Sequence, residues 1–91
     1  MQRKSDKTLQ FRKTLGKVIK QLRVENTGLS GNKLANEYDI GNGNISRIQN
    51  GEVDCKFITI WKIAESLNIK FSDLSKILEK ELGENFKLID E

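Results

Sequence analysis

Apolar residues return along the first part of the chain at helical spacing. Phe11, Leu15, Val18, Ile19 and Leu22 fall on one face with Lys and Arg between them. This predicts an amphipathic helix from about Thr8 to Glu25, ended by Asn26, Thr27 and Gly28. Residues 1–7 carry no such pattern and read as a flexible basic N-terminal arm. Ser30 is placed to cap a short second helix whose Leu34, Ala35 and Tyr38 face inward. Residues 39–41 make a break. Ile40, Ile45 and Ile48 then predict a third short helix, stopped at Gly51, where glycine can take the left-handed cap conformation. Phe57, Ile60, Ile63, Ala64 and Leu67 mark one side of a fourth helix. A fifth is expected to start at Ser72 as cap, with Asp73 in its first turn and Leu74, Ile77, Leu78 and Leu82 as its stripe. Beyond Gly83, Phe86 and Leu88 stand two apart, which leaves a small β-strand or a packed coil open for the tail, residues 83–91. The expected fold class is all-α, five helices over residues 8–82 with short connections.

Composition narrows this picture. A chain of 91 residues holds one domain with a modest core. It has no proline to interrupt a helix, and its single Cys55 excludes an intramolecular disulfide framework and fits a reducing compartment. No apolar run approaches the ~18 residues of a membrane span, and the basic N-terminus lacks the apolar stretch of a signal peptide. A cytoplasmic protein without a membrane partner is expected. Charge is uneven. Residues 1–50 hold ten Lys/Arg against four Asp/Glu, and residues 51–91 hold six against nine, so the net +3 divides into +6 and −3. One basic half suggests a face for a polyanion.

Catalytic chemistry finds few candidates. There is no histidine, the commonest general base, and one cysteine cannot build a thiolate metal site. Glu79 and Glu81 belong to a charged helix face. The stretch GNGNIS lacks the lysine and the preceding strand of a phosphate-cradling loop. The expectation is a non-enzyme with no metal and no cofactor.

The second and third helices carry more information. Leu34 and Ala35, then Ile40 in the turn, then Ile45 and Ile48 place a small residue where two helices cross and branched residues on each side of a tight turn. That is the requirement of a helix-turn-helix at about residues 30–50, whose second helix stands out far enough to enter a major groove. The segments LGKVIKQLR, GLSGNKLA, NISRIQNG and ITIWKIAESLNIKFSDL, in this order, resemble the lambda-repressor-like (Cro/XRE-type) family of helix-turn-helix regulators. The resemblance covers roughly residues 15–74.

That resemblance implies a recognition helix over about Asn42 to Asn50, with Asn42, Gly43, Asn44, Ser46 and Arg47 outward and Ile45 and Ile48 inward. Asn42 is then a candidate for adenine and Arg47 for guanine or phosphate, while Asn44, Ser46 and Asn50 are placed for backbone phosphates or a mixed role. Lys17, Lys20, Arg23, Lys33 and the arm would add phosphate contacts. The chain also departs from the family pattern. Gly31 stands where a glutamine usually braces the recognition helix, with Asn32 or Lys33 as replacement, and Asp39 stands at the turn glycine. Arg23 matches an arginine that commonly pairs with a glutamate, but its partner position is Gln49, so the ion pair becomes a charge-to-neutral hydrogen bond and Arg23 is expected to be freer for phosphate. Cys55 replaces a frequent proline, and a small buried apolar role or a redox role is open to it.

The expected function is sequence-specific binding of double-stranded DNA by a transcriptional regulator, a repressor acting as a homodimer on a palindromic operator. The C-terminal apolar surplus suggests Trp61, Phe71, Ile77, Leu78 and Phe86 for the dimer interface. Two alternatives remain: an antitoxin that also binds a toxin protein, and an adaptor of the same fold that does not read DNA.

Overall fold

A computed structural model of the chain describes residues 3–38, 40 and 42–89, and their side chains except those of 3–5 and 42–44. Five helices follow in order: α1 (Arg3–Asn26), α2 (Gly31–Tyr38), α3 (Asn42–Gln49), α4 (Phe57–Ser66) and α5 (Phe71–Leu82). Among the described residues there is no strand. The all-α expectation holds, and residues 83–89 of the tail are coil, with Phe86 stacked on Phe11 at 6.3 Å between ring centroids.

The longest element sets the shape. At ~1.5 Å per residue, the 24 residues of α1 run about 36 Å, close to the 41 Å long dimension of the molecule. Leu15, Val18 and Ile19 of α1 meet Leu34 and Ala35 of α2, Ile45 and Ile48 of α3, Ile60, Ile63, Ala64 and Leu67 of α4, and Leu74 of α5 in one buried core. Ala35, the small residue expected at the crossing, is buried, and so is Ile40. Neighbouring helices differ in how they end. At α4, Asn68 takes a positive φ of 63°, the Ile69 N–H reaches the Ala64 carbonyl (3.1 Å) and the Asn68 N–H reaches that of Glu65 (3.0 Å). Asparagine here does the work usually left to glycine. The Asn26 side chain donates to the Leu67 carbonyl (2.9 Å), tying the end of α1 to the end of α4.

Four local expectations are corrected. Helix α1 begins at Arg3 rather than near Thr8, so residues 3–7 form helical turns instead of an arm. Lys and Arg are good helix formers, and Asp6 in the first turn complements the helix dipole, so no apolar face is needed to extend it. Tyr38 is 43% exposed. Tyr38 is the last residue of α2, and Ile40 takes the inward place instead, with its N–H on the Ala35 carbonyl (3.0 Å). Phe57 is 67% exposed because it precedes the first core turn of α4, and it leans edge-on against Phe71 at 5.1 Å. Helix α5 starts at Phe71 behind an extended Lys70, without a side-chain cap, so Ser72 lies inside the helix.

The tightest contact joins α1 to α3. Gly16 sits in the middle of α1, and a Cβ there would collide with the Gln49 carbonyl oxygen and lie 2.5 Å from that of Ile48. No side chain fits between the two backbones. Replacing Gly16 with alanine adds helix propensity worth up to ~1 kcal/mol, but it forces a methyl into backbone atoms. We expect Gly16→Ala to destabilise the fold by about 2 kcal/mol or more, a fall of roughly 10 °C in the thermal midpoint. A midpoint equal to or above that of the parent chain, by circular dichroism melting, would contradict this packing.

Candidate nucleic-acid interface

The site is assembled from a cap, two anchors and a stop. The Ser30 hydroxyl accepts from the Lys33 N–H (3.2 Å), and its carbonyl accepts from that of Leu34 (3.0 Å), so α2 starts where the cap residue predicts. Ile45 and Ile48 are buried and fix one side of α3 against α1 and α2. Gly51, at φ +72°, stops the helix. The Glu52 N–H bonds the Arg47 carbonyl (2.9 Å) and the Gly51 N–H bonds that of Ile48 (3.1 Å), the paired bonds of a Schellman end. Any side chain at Gly51 would also press on α1, 2.9 Å from Cγ of Lys13.

Polar groups lock the same region from the other side. Arg23 Nε donates to Gln49 Oε1 (3.1 Å) and its Nη1 to the Leu29 carbonyl (2.7 Å), while Gln49 Nε2 donates to the Ile45 carbonyl (3.2 Å). The hydrogen bond anticipated between Arg23 and Gln49 is present. The accompanying expectation of a freer Arg23 is corrected: it is half-buried and commits two donors to the protein, so it braces α3. Gly31 explains part of this arrangement. A Cβ on it would lie 3.0 Å from Cγ2 of Ile45 and 3.2 Å from Nε2 of Gln49, so the absent side chain at 31 leaves room for the Gln49 amide. Below, Arg12 pairs with Asp54 at 2.8 Å and holds the α3–α4 loop to α1. The hydrogen bond from Arg12, and then its charge, keep the Asp54 carboxyl below its ordinary pKa.

Around this frame α3 presents Ser46 and Arg47 to solvent, Asn50 just beyond it is exposed too, and α2 presents Lys33. Arg47 has no side-chain hydrogen-bond or ion-pair partner among the described residues, whereas the Asn50 amide reaches Glu52 Oε2 at 3.5 Å. Asn42, Gly43 and Asn44 occupy the first turn of α3, and their side chains lie outside those described. Asp39 lies outside the described residues altogether. Lys17 and Lys20 are exposed on α1. The sequence reading missed Lys13, whose stem lies against Gly51. It also missed Gly16, although a glycine inside an unbroken helical pattern was a signal of close backbone approach.

A second surface lies across α4 and the start of α5. Trp61 is 50% exposed, stacks on Phe71 at 5.3 Å and donates its indole N–H to Glu65 (3.2 Å). Phe57 and the 74% exposed Ile58 extend this face. Beside it is an apolar recess of about 260 Å³, whose walls include Phe11, Leu15, Cys55, Phe57, Phe71 and Leu78. Of the residues expected at a dimer contact, Trp61 and Phe71 lie on this face, though Phe71, like Ile77 and Leu78, also packs against the chain's own core, and Phe86 stacks on Phe11.

The fold and the placement of α2 and α3 define a small helix-turn-helix protein. No protein-family model matches the chain. It is 35% identical over 66 residues to control protein C.MunI from a Mycoplasma species, an alignment spanning 72% of this chain and 89% of that protein. The chain therefore belongs to the family of that control protein. No described helix is long and apolar enough to cross a membrane.

Cys55 is half-buried at the recess, and desolvation pushes its pKa up to about 11. The thiol is therefore protonated at neutral pH, which disfavours the redox role. With an ordinary pKa near ~9, a thiol released by unfolding holds on the order of 100 times more thiolate at pH 8. Iodoacetamide should accordingly label the native chain about 100-fold more slowly than the urea-unfolded chain at that pH. Equal rates would contradict the burial.

Proposed function

We propose that the chain is a sequence-specific transcriptional regulator that binds double-stranded DNA through the exposed face of α3. The observation that carries this reading is the way α3 is held. It is seated on α1 at Gly16, stopped at Gly51 and braced by Arg23 through Gln49, yet turns Ser46, Arg47 and Asn50 outward. Such a helix is rigid in placement and unencumbered on its outer side, which major-groove reading requires. The control protein to which the chain is similar supports the regulatory half of the proposal.

In this reading Arg47 contacts a guanine edge and Asn42 an adenine, while Asn44, Ser46, Asn50 and Lys33 contact the backbone around Gly43, where a missing side chain permits close approach. Arg23 acts by positioning α3. Repression follows if the operator overlaps a promoter.

A homodimer on a palindrome completes the proposal. Phe57, Ile58 and Trp61 together leave on the order of 400 Å² of apolar surface uncovered, about half of the ~800 Å² that each partner of a standard interface buries. That share resembles the apolar fraction of a protein–protein contact. A second copy of the chain accounts for this face without a toxin or another partner, and it places two reading helices on one duplex.

Selection of bound sites from random duplex DNA tests the whole reading. The expected product is an inverted repeat. Arg47→Ala should weaken binding by about 1–3 kcal/mol and relax preference at one base pair of each half-site. Ile58→Asp should leave only single half-site binding. Recovery of no preferred sequence would refute base reading, and full operator affinity in Arg47→Ala would remove Arg47 from it.

A further inference from the structure

The cations of α1 are not spread evenly around the helix. Arg12, Lys13, Lys17, Lys20 and Arg23 fall within three turns, and between residues 12 and 24 the helix has no acidic side chain. Two of the five are committed inside the protein: Arg12 to Asp54, and Arg23 to Gln49 and Leu29. Lys13, Lys17 and Lys20 remain exposed, with no ion-pair partner among the described residues.

Their position relative to α3 follows from the close contacts. Lys13 lies against Gly51, Gly16 lies against the carbonyls of Ile48 and Gln49, and Arg23 holds the Gln49 side chain. The C-terminal end of α3 is thus bracketed along α1 by Lys13 and Arg23, and the exposed Lys17 and Lys20 come between them along the helix. From Lys13 to Lys20 the helix rises about 10 Å, roughly the axial rise of three nucleotides at ~3.4 Å each. The acids of the adjoining loop are engaged: Asp54 by Arg12, and Glu52 by the Asn50 amide.

We infer that Lys13, Lys17 and Lys20 form a second phosphate-binding ledge, gripping the backbone of duplex DNA beside the C-terminal end of the reading helix. The inference rests on the DNA-binding reading above and on the phosphate role that the resemblance implies for Lys17 and Lys20, and it adds Lys13 and a common place for all three beside the end of α3. Its partner is the sugar–phosphate backbone alone, so it contributes affinity without sequence preference. Arg23 and Arg12 are the neighbouring cations that do not take part, because each is spent on holding the protein together.

The test is a salt titration of three proteins against two labelled duplexes, the selected operator and a mixed-sequence control. One protein is the parent chain. The second carries Lys13→Gln, Lys17→Gln and Lys20→Gln, and the third loses the same charge from α5 and the tail through Lys76→Gln, Lys80→Gln and Lys87→Gln. Between about 50 and 200 mM salt, each phosphate contact contributes about 0.9 to the slope of log affinity on log salt. The ledge variant should therefore show a slope shallower by roughly 2 to 3 on both duplexes, and the α5 variant a change below about 1. An unchanged slope in the ledge variant overturns the proposal. So does an equal loss in both variants, which would mean a general effect of net charge, or a loss confined to the operator, which would mean base reading. Should the triple variant lose its far-ultraviolet helix signal, the exposed pair Lys17→Gln and Lys20→Gln gives the same readout, with an expected change of about 1.8. Failure of the parent chain to bind either duplex would remove the DNA reading itself, and the ledge with it.

Discussion

Everything in the helix-turn-helix depends on the approach of two backbones at Gly16. Helix packing normally separates axes by the thickness of side chains, about 8–10 Å. Here the C-terminal carbonyls of α3 come down onto the bare backbone of α1, with no room for a methyl group. This seats a helix of only eight residues on one of twenty-four. A helix so short has little stability of its own, and its hold comes from this contact, from Ile45 and Ile48 in the core, and from the Gly51 stop pressed against Lys13. Gly16, which would weaken a free helix by up to ~1 kcal/mol, thereby becomes, with the Gly51 stop, the means of fixing α3.

Polar chemistry then acts on a frame already set by packing. The bridge from the Leu29 carbonyl through Arg23 and Gln49 to the Ile45 carbonyl spans α1, the α1–α2 turn and α3. It keeps a guanidinium at the centre without a carboxylate, so no acid titration is built into the brace. Gly31 belongs to the same solution, since its missing side chain leaves the space beside the Gln49 amide. The charges that remain outward, Arg47 on α3 and Lys13, Lys17 and Lys20 on α1, are those with nothing to hold inside the protein. In the proposed reading, structure and affinity are thus divided among different cations of α1.

Much of this was legible in the residues. The five helices followed from apolar spacing, the Ser30 cap and the Gly51 stop from residue type, and the Arg23–Gln49 bond from the resemblance to lambda-repressor-like regulators. The misses share a cause: periodicity records which residues are apolar, but not whether a partner element exists to cover them. Phe57 and Tyr38 fit the inward pattern and lie exposed because no described element covers those ends of α4 and α2, Phe57 meeting only the ring of Phe71. Ile77, Leu78 and Phe86 looked like surplus apolar surface and are instead partly buried within the chain. The start of α1 was set too late because its first turns are helical by propensity and carry no apolar stripe. Gly16 was visible as a glycine in a helix, but only three-dimensional contact shows what approaches it.

The most direct measurement is an amide chemical-shift titration of the labelled chain with an operator duplex. If α3 is the reading helix, the largest changes fall on Ser46, Arg47 and Asn50, with smaller ones along Lys13, Lys17 and Lys20, while Trp61 and Phe71 keep the shifts they have without DNA. Changes concentrated on Phe57, Trp61 and Phe71, with Ser46 to Asn50 unmoved, would contradict the account and assign the binding face to α4.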